Sequence, residues 1–215
     1  MWRKGTHIAC LLLHNFRYLS VCQFPGRKYK QTMKQQQAKE IEAVSLEVKE
    51  YFRPLTAEQL NWKPAPEKWS IAQCLDHLIR TNEGYLEQFK RIARGEQQHS
   101  LWERMPFLPT LFGNYLLKAT APVVQTPMKA PKGFRPTQSG LQADIIDRFL
   151  AHNEEAIKSI EQLPDEGLEH YILTSPASAL LTLRLDQAVE IIAQHERRHL
   201  LQAIRVMESE DFPKP

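Results

Sequence analysis

The chain has 215 residues, 42% hydrophobic and 25% charged, which is enough for one globular domain with its own core. Residues 1–39 hold eight of the 28 basic side chains and no acid, so the rest holds 20 basic (28 − 8) and 25 acidic groups, a net charge of −5. This balance gives no electrostatic case for nucleic-acid binding, and no apolar run approaches the roughly 20 residues of a membrane span, so we expect neither a nucleic-acid nor a membrane partner.

Residues 1–35 differ from the remainder, because they are basic, free of acids, and rich in Gly, Pro and Gln toward their end. Their composition predicts a disordered or targeting-like extension, or a translation start at Met33. The domain itself is expected to span residues 36–210.

The first amphipathic pattern predicts a helix over Gln36–Tyr51, with apolar positions at Ile41, Val44 and Val48. Pro54 ends it. A short helical turn is predicted over Thr56–Leu60, and the two prolines of residues 61–66 hold the next stretch extended.

A second long helix is predicted from Ser70, a favourable N-cap, to about Arg94, with Trp69 placed as a hydrophobic staple. His77 lies beside its apolar stripe. Its neighbours on that edge are small or polar: Cys74, Thr81 and Gly84. By itself His77 fits a half-exposed surface residue, and Cys74 fits a small core residue.

Residues 95–139 hold six of the 14 prolines and predict a long connection with one short helix, Thr110–Lys118. A third long helix is predicted over Leu141–Leu163, where we interpret His152 as structural, and a fourth over Thr182–Met207 after a loop. No strand pattern, Gly-rich phosphate loop or nucleophile elbow is present. The predicted fold class is therefore all-α, a four-helix bundle with long crossover connections.

The fourth helix places two histidines in its apolar register. His195 and His199 are four residues apart, so their imidazoles lie on one helical face, close enough to share a metal ion. Gln194 and Gln202 flank them as candidate hydrogen-bond partners. From these residues alone, a metal site and a structural polar cluster are both open, and a third ligand has to decide.

The run His-Glu-x-x-His is also the zincin signature, in which Glu196 would be the general base. The zincin third ligand normally lies downstream. Only 16 residues (215 − 199) follow His199, and Glu208, Glu210 and Asp211 lie on the same helix or its end. A protease is therefore disfavoured, and a third ligand would have to come from earlier in the chain.

Four stretches together resemble the DinB superfamily: LNWKP at 60–64, KWSI at 68–71, LDHL at 75–78 and HERRHLLQ at 195–202. The resemblance covers about residues 37–208. It implies a four-helix bundle with one histidine early in the second helix and an H-x-x-x-H pair in the last, which together bind a divalent metal, zinc or nickel. These positions correspond here to His77, His195 and His199.

The resemblance also implies a class of activity, since some members are thiol S-transferases or thiol-dependent isomerases. We therefore expect an enzyme that activates a low-molecular-weight thiol or water on the metal, with a small-molecule substrate, in the cytoplasm. The sparse cysteines fit a reducing compartment. The alternative is a non-catalytic, stress-associated scaffold bundle with a structural metal. No residue is assigned as catalytic, and Glu196 is turned about 100° from His195.

Substrate choice should then depend on residues 95–139, the longest irregular stretch. We expect its apolar side chains to pack near the metal end of the bundle, against the small edge of Thr81 and Gly84, or in a homodimer contact. The side chains concerned are Leu111, Phe112, Tyr115 and Leu116.

Overall fold

The computed structural model describes residues 32–97, 100–105, 107–123, 132–136, 140–141 and 144–214. This part of the chain forms helices α1 (Met33–Phe52), α2 (Ala57–Asn61), α3 (Ile71–Ala93), α4 (Leu108–Thr120), α5 (Ile145–Glu161) and α6 (Leu185–Met207), and strands β1 (Ile172–Thr174) and β2 (Thr182–Arg184). None of these helices has the length and apolar character that crossing a membrane requires. Of the predicted N-terminal extension, residues 1–31 lie outside the described residues.

Four long helices form the bundle. Helices α1 and α3 each pack against both α5 and α6, so α1 and α3 occupy one diagonal and α5 and α6 the other. The connection through α2 therefore crosses one end of the bundle. The predicted all-α, four-helix architecture is confirmed.

Three helix starts share one capping device, the Ser/Thr-x-x-Gln capping box. In each, the cap hydroxyl accepts from the backbone N–H of the glutamine, and the glutamine side chain accepts from the cap N–H; the pairs are Thr32–Gln35, Thr56–Gln59 and Ser70–Gln73. The predicted cap at Ser70 is confirmed. Helix α1 begins at Met33 rather than the predicted Gln36, because Thr32 and Gln35 satisfy the first N–H groups.

The core consists of two apolar clusters. The first contains Phe89 of α3 and Ile192 of α6, and the second contains Leu75 of α3 and Leu200 of α6. Because the early half of α3 meets the late half of α6, the two helices run antiparallel. Asn82, Asn153 and Glu196, all buried, belong to neither cluster, and their positions on α3, α5 and α6 fall between those of the two.

A two-stranded antiparallel hairpin is the feature that periodicity missed. Leu173 of β1 pairs with Leu183 of β2, and α6 begins at Leu185 rather than at the predicted Thr182. Strands of three residues are too short to show a period of two. Gln88 of α3 fastens the hairpin, since its amide donates to the Thr174 carbonyl at 2.8 Å and accepts from the Thr174 N–H at 3.1 Å.

Helix α4 lies outside the bundle and packs on α6 and β2. Leu116 and Leu117 are partly buried against the first core cluster, whereas Leu111 and Tyr115 are 62% and 49% exposed. The expectation that α4 fills the small edge of α3 is wrong at Gly84, because Pro176 of the hairpin occupies that position, 2.7 Å from where a Cβ would stand.

Helix α4 approaches α6 closely at Gly113. A Cβ there would lie 1.9 Å from Gln187 Oε1, and the Gln187 amide is itself held by the Arg184 N–H and Asn114.

Gly113→Ala should therefore destabilise the protein by about 1–3 kcal/mol, the usual cost of overpacking, in urea unfolding. The matched control is Gly133→Ala, where a Cβ meets nothing within 4 Å and where we expect a change within about 0.5 kcal/mol. Equal stability of the two variants would contradict this packing.

Candidate metal centre

The centre is formed where α3 and α6 face each other. The capping box at Ser70 starts α3 two turns before His77, and His195 and His199 lie one turn apart on α6. A potential ligand atom from each of the three histidines lies within 4.8 Å of the other two. His77 and His199 are buried, and His195 is half-buried. The structure thus brings together the three histidines singled out in the sequence.

The three rings meet through the same atom. His195 Nε2 lies 3.3 Å from His77 Nε2 and 3.0 Å from His199 Nε2. The ring planes are steeply inclined to one another, at 72–80°, so the rings point inward instead of stacking.

Hydrogen bonds on the far side fix two of the tautomers. His77 Nδ1 lies 2.7 Å from the Phe134 carbonyl, and His199 Nδ1 lies 3.0 Å from Gln202 Oε1. Both oxygens only accept, so each Nδ1 carries the proton and each Nε2 presents a lone pair to the centre. This second hydrogen bond is the arrangement that orients histidine ligands of metals.

The cluster is electrostatically incomplete as it stands. His195 Nε2 can carry at most one proton and donate it to only one of its two neighbours, so at least one of the two short N···N contacts has no hydrogen bond along it. Protonation is not a remedy, because burial lowers the pKa of all three rings. The pKa of His195 falls to about 3 through burial, then the charges of His77 and Arg198. A cation between the rings would satisfy all three lone pairs.

The spacing fits such a cation. Imidazole nitrogens about 2.0–2.1 Å from an ion stand roughly 3.3 Å apart in a tetrahedral site and roughly 2.9 Å apart at right angles. The two N···N distances, 3.0 and 3.3 Å, span that range. Neutral imidazoles suit zinc, nickel and similar divalent ions.

Trp69 forms an aromatic wall of the centre. Its indole is stacked on His199 with centroids 5.5 Å apart and meets His77 edge-on at 4.8 Å. The sequence predicts Trp69 only as a staple at the start of α3. In the structure it restricts the rotation of both buried histidine rings.

Glu196 faces the core, turned about 100° around α6 from His195. Its two oxygens accept hydrogen bonds from Asn82 Nδ2 and Asn153 Nδ2, both at 2.9 Å. Asn153 also donates to Ser45 of α1, so this polar layer involves all four bundle helices. Burial raises the pKa of the Glu196 carboxyl to about 8, despite the two amide donors. Glu196 is therefore a buried core residue and not an exposed general base.

Of the other residues considered in the sequence, some contact the histidine cluster and some do not. Gln202 contacts a cluster histidine, but Gln194 donates to Glu190 Oε1 at 2.7 Å, so its predicted role is wrong. Cys74 is buried in the second core cluster, and burial raises its thiol pKa to about 12, as expected of a core residue rather than a ligand. His152 is buried on α5, outside the cluster. The Phe134 carbonyl had no signal in the sequence, because any residue supplies one.

Comparisons with known proteins agree with the motif. A sequence profile of the DinB superfamily matches residues 40–203. The uncharacterized protein YuaE of Bacillus subtilis (strain 168) is 30% identical over 164 residues, which cover 76% of this chain and 92% of YuaE. None of the solved structures matches the chain.

The raised pKa of Glu196 predicts how stability changes with pH. The carboxyl has an ordinary pKa of 4.5 in the unfolded chain and about 8 when folded, so between these values only the folded state holds the proton. This carboxyl should then lower the stability as pH rises, by at most about 1.4 kcal/mol per pH unit. Burial lowers the pKa of His77, His152, His195 and His199 below the ordinary 6.5, so near that pH these rings oppose the loss, because only the unfolded chain protonates them. The metal-free protein should therefore show the loss in urea unfolding from about pH 7.5 to 8.5, where the histidines are neutral in both states.

Two variants check the source of this slope. Glu196→Gln resembles the neutral carboxyl and should remove most of the slope, while Glu208→Gln, at the exposed residue that directly follows α6, should keep it. Asn153 Oδ1 is a buried acceptor without a partner among the described residues. If the Asn153 amide rotates by about 180°, this oxygen can accept a hydrogen bond from the glutamine amide at position 196. Parallel curves for the wild type and Glu196→Gln would refute the assignment.

Proposed function

The chain belongs to the DinB superfamily, and with that membership and the three-histidine cluster as premises we propose that it is an enzyme built around a divalent metal ion, zinc or nickel. His77, His195 and His199 would be the ligands. The observation that carries the proposal is the convergence of three neutral Nε2 atoms, two of them with their lone pairs fixed inward.

Bound there, the ion would supply Lewis acidity that lowers the pKa of a thiol or water. Three protein ligands are the number typical of catalytic zinc sites, since a further position stays open. The protein's own contribution is orientation: Phe134 and Gln202 hold the tautomers, and Trp69 holds the rings. His195 is the most accessible of the three candidate ligands, so a small molecule would enter beside it. We propose a low-molecular-weight thiol as substrate, with transfer or hydrolysis as the reaction, and the cytoplasm as its location.

A structural role is the second candidate, and one observation favours it. His77 and His199 are buried, Trp69 covers both, and an ion at this place would tie α3 to α6. In that case the protein would be a scaffold in which metal only stabilises the bundle. The two functions differ in whether a fourth position accepts a small molecule.

The ligand assignment is tested by metal content. Purified protein supplied with zinc or nickel should contain about one ion per chain, measured by mass spectrometry of the metal. His77→Ala should bind at least roughly a hundredfold more weakly, because even loss of a residue that only orients a ligand costs 10- to 100-fold. His170→Ala, which removes an exposed histidine outside the cluster, is the control and should keep its metal. Full metal in His77→Ala would refute the three-histidine site.

The choice between enzyme and scaffold is tested by turnover. Metal-loaded protein, offered thiols such as bacillithiol, cysteine and glutathione with electrophilic substrates, should accelerate thiol transfer well above a variant with all three cluster histidines changed to alanine. Any catalysis by free metal would occur equally in both samples, so only turnover above that of the variant comes from the three-histidine site. If the wild type binds metal but shows no thiol-dependent or hydrolytic turnover above that variant, the scaffold function stands instead.

A further inference from the structure

Arg198 is a cation at the rim of the centre. It lies three residues after His195 and directly before His199 on α6, and it is half-buried. Its Nη1 donates to the main-chain carbonyls of Ala119 and Ala121 at the end of α4, at 3.0 and 3.4 Å. These contacts fix the guanidinium in place, and among the described residues no hydrogen bond uses its Nη2 and Nε donors.

The charge of Arg198 has no counter-charge among the residues that the structure describes. Over the residues that the structure describes, no carboxylate lies within ion-pair distance of it, whereas its neighbour Arg197 is paired with both Glu40 and Glu47. Its charge is also felt in the cluster, where it contributes to the lowered pKa of His195 and His199.

The surroundings of the cluster are short of negative charge. Asp76, beside His77, shares its charge with Arg80 at 3.9 Å, and Glu196 faces the core between two amides. All three candidate ligands are neutral, so an ion held by them would keep its full charge. Such a centre next to an unpaired guanidinium favours a ligand with two negative groups.

We propose that Arg198 is the specificity-determining residue of this centre, binding the carboxylate of a small mercapto acid whose sulfur occupies the open side of the three-histidine cluster. The inference rests on the proposed function and adds to it the class of thiol. Residues three apart on a helix have Cβ atoms about 5–6 Å apart. Because the two residues are neighbours on the helix surface, one small ligand can reach both, and a short linker between thiol and carboxylate is sufficient. A guanidinium binds a carboxylate through two parallel hydrogen bonds.

The test compares two probes that differ in the charged group. Protein loaded with cobalt(II) is titrated with 3-mercaptopropionate and with 2-mercaptoethanol, and binding is followed by the sulfur-to-cobalt absorption band. The wild type should bind mercaptopropionate at least about tenfold more tightly, a difference of about 1.4 kcal/mol. Arg198→Met should bring the two Kd values within about twofold, mainly by weakening mercaptopropionate.

Controls separate recognition from folding and from metal binding. Arg198→Lys keeps a charge and should retain part of the preference, and Arg94→Met, at the far end of α3, should retain all of it. An unchanged Kd for mercaptoethanol in Arg198→Met shows an intact centre. The inference is overturned if the wild type has no preference, if Arg198→Met keeps it, or if neither thiol changes the spectrum. If cobalt binding does not require the three histidines, the proposed function fails, and this inference fails with it.

Discussion

The structure depends on one buried carboxyl. Glu196 lies in the middle of the bundle with no exposure to solvent, where an unpartnered polar group would be costly, so amides from two other helices have to reach it. Asn82 of α3 and Asn153 of α5 both do so at 2.9 Å. Apolar burial is non-directional, whereas these two hydrogen bonds require one alignment of the helices. Glu196 therefore fixes the register of α3 and α5 against α6.

That register also aligns the three histidines of the candidate metal centre. His195 directly precedes Glu196, and His77 lies five residues before Asn82 on the antiparallel helix α3. A shift of one helical turn between α3 and α6 would move His77 by about 5.4 Å, more than the 3.3 Å that now separates its Nε2 from that of His195. The hydrogen bonds of the polar layer therefore also determine the positions of the cluster histidines. The layer would hold the histidines in place before an ion arrives.

Much of this could be predicted because its signals are local. The apolar stripes and the cap at Ser70 predict the bundle helices, and the spacing of His195 and His199 places both on one face. His77 needed the family resemblance, because its own helix gives no reason to look across to α6. The features that the sequence did not predict depend on tertiary structure. They are the Phe134 carbonyl at His77, the packing of Trp69 on the histidines, and Pro176 against Gly84. The hairpin escaped because its strands are too short to show a pattern.

The five-residue motif His-Glu-x-x-His shows why spacing does not define chemistry. On any helix it places the two histidines on one face and the glutamate about 100° from the first. In a zincin the glutamate side is open and the carboxylate acts as a base. Here that side is the centre of a bundle, where two amides donate hydrogen bonds to the carboxyl. Arg198 lies on the opposite flank of α6 and contacts the end of α4. The group available beside the cluster is therefore a cation and not a base, which favours binding and orienting an anion.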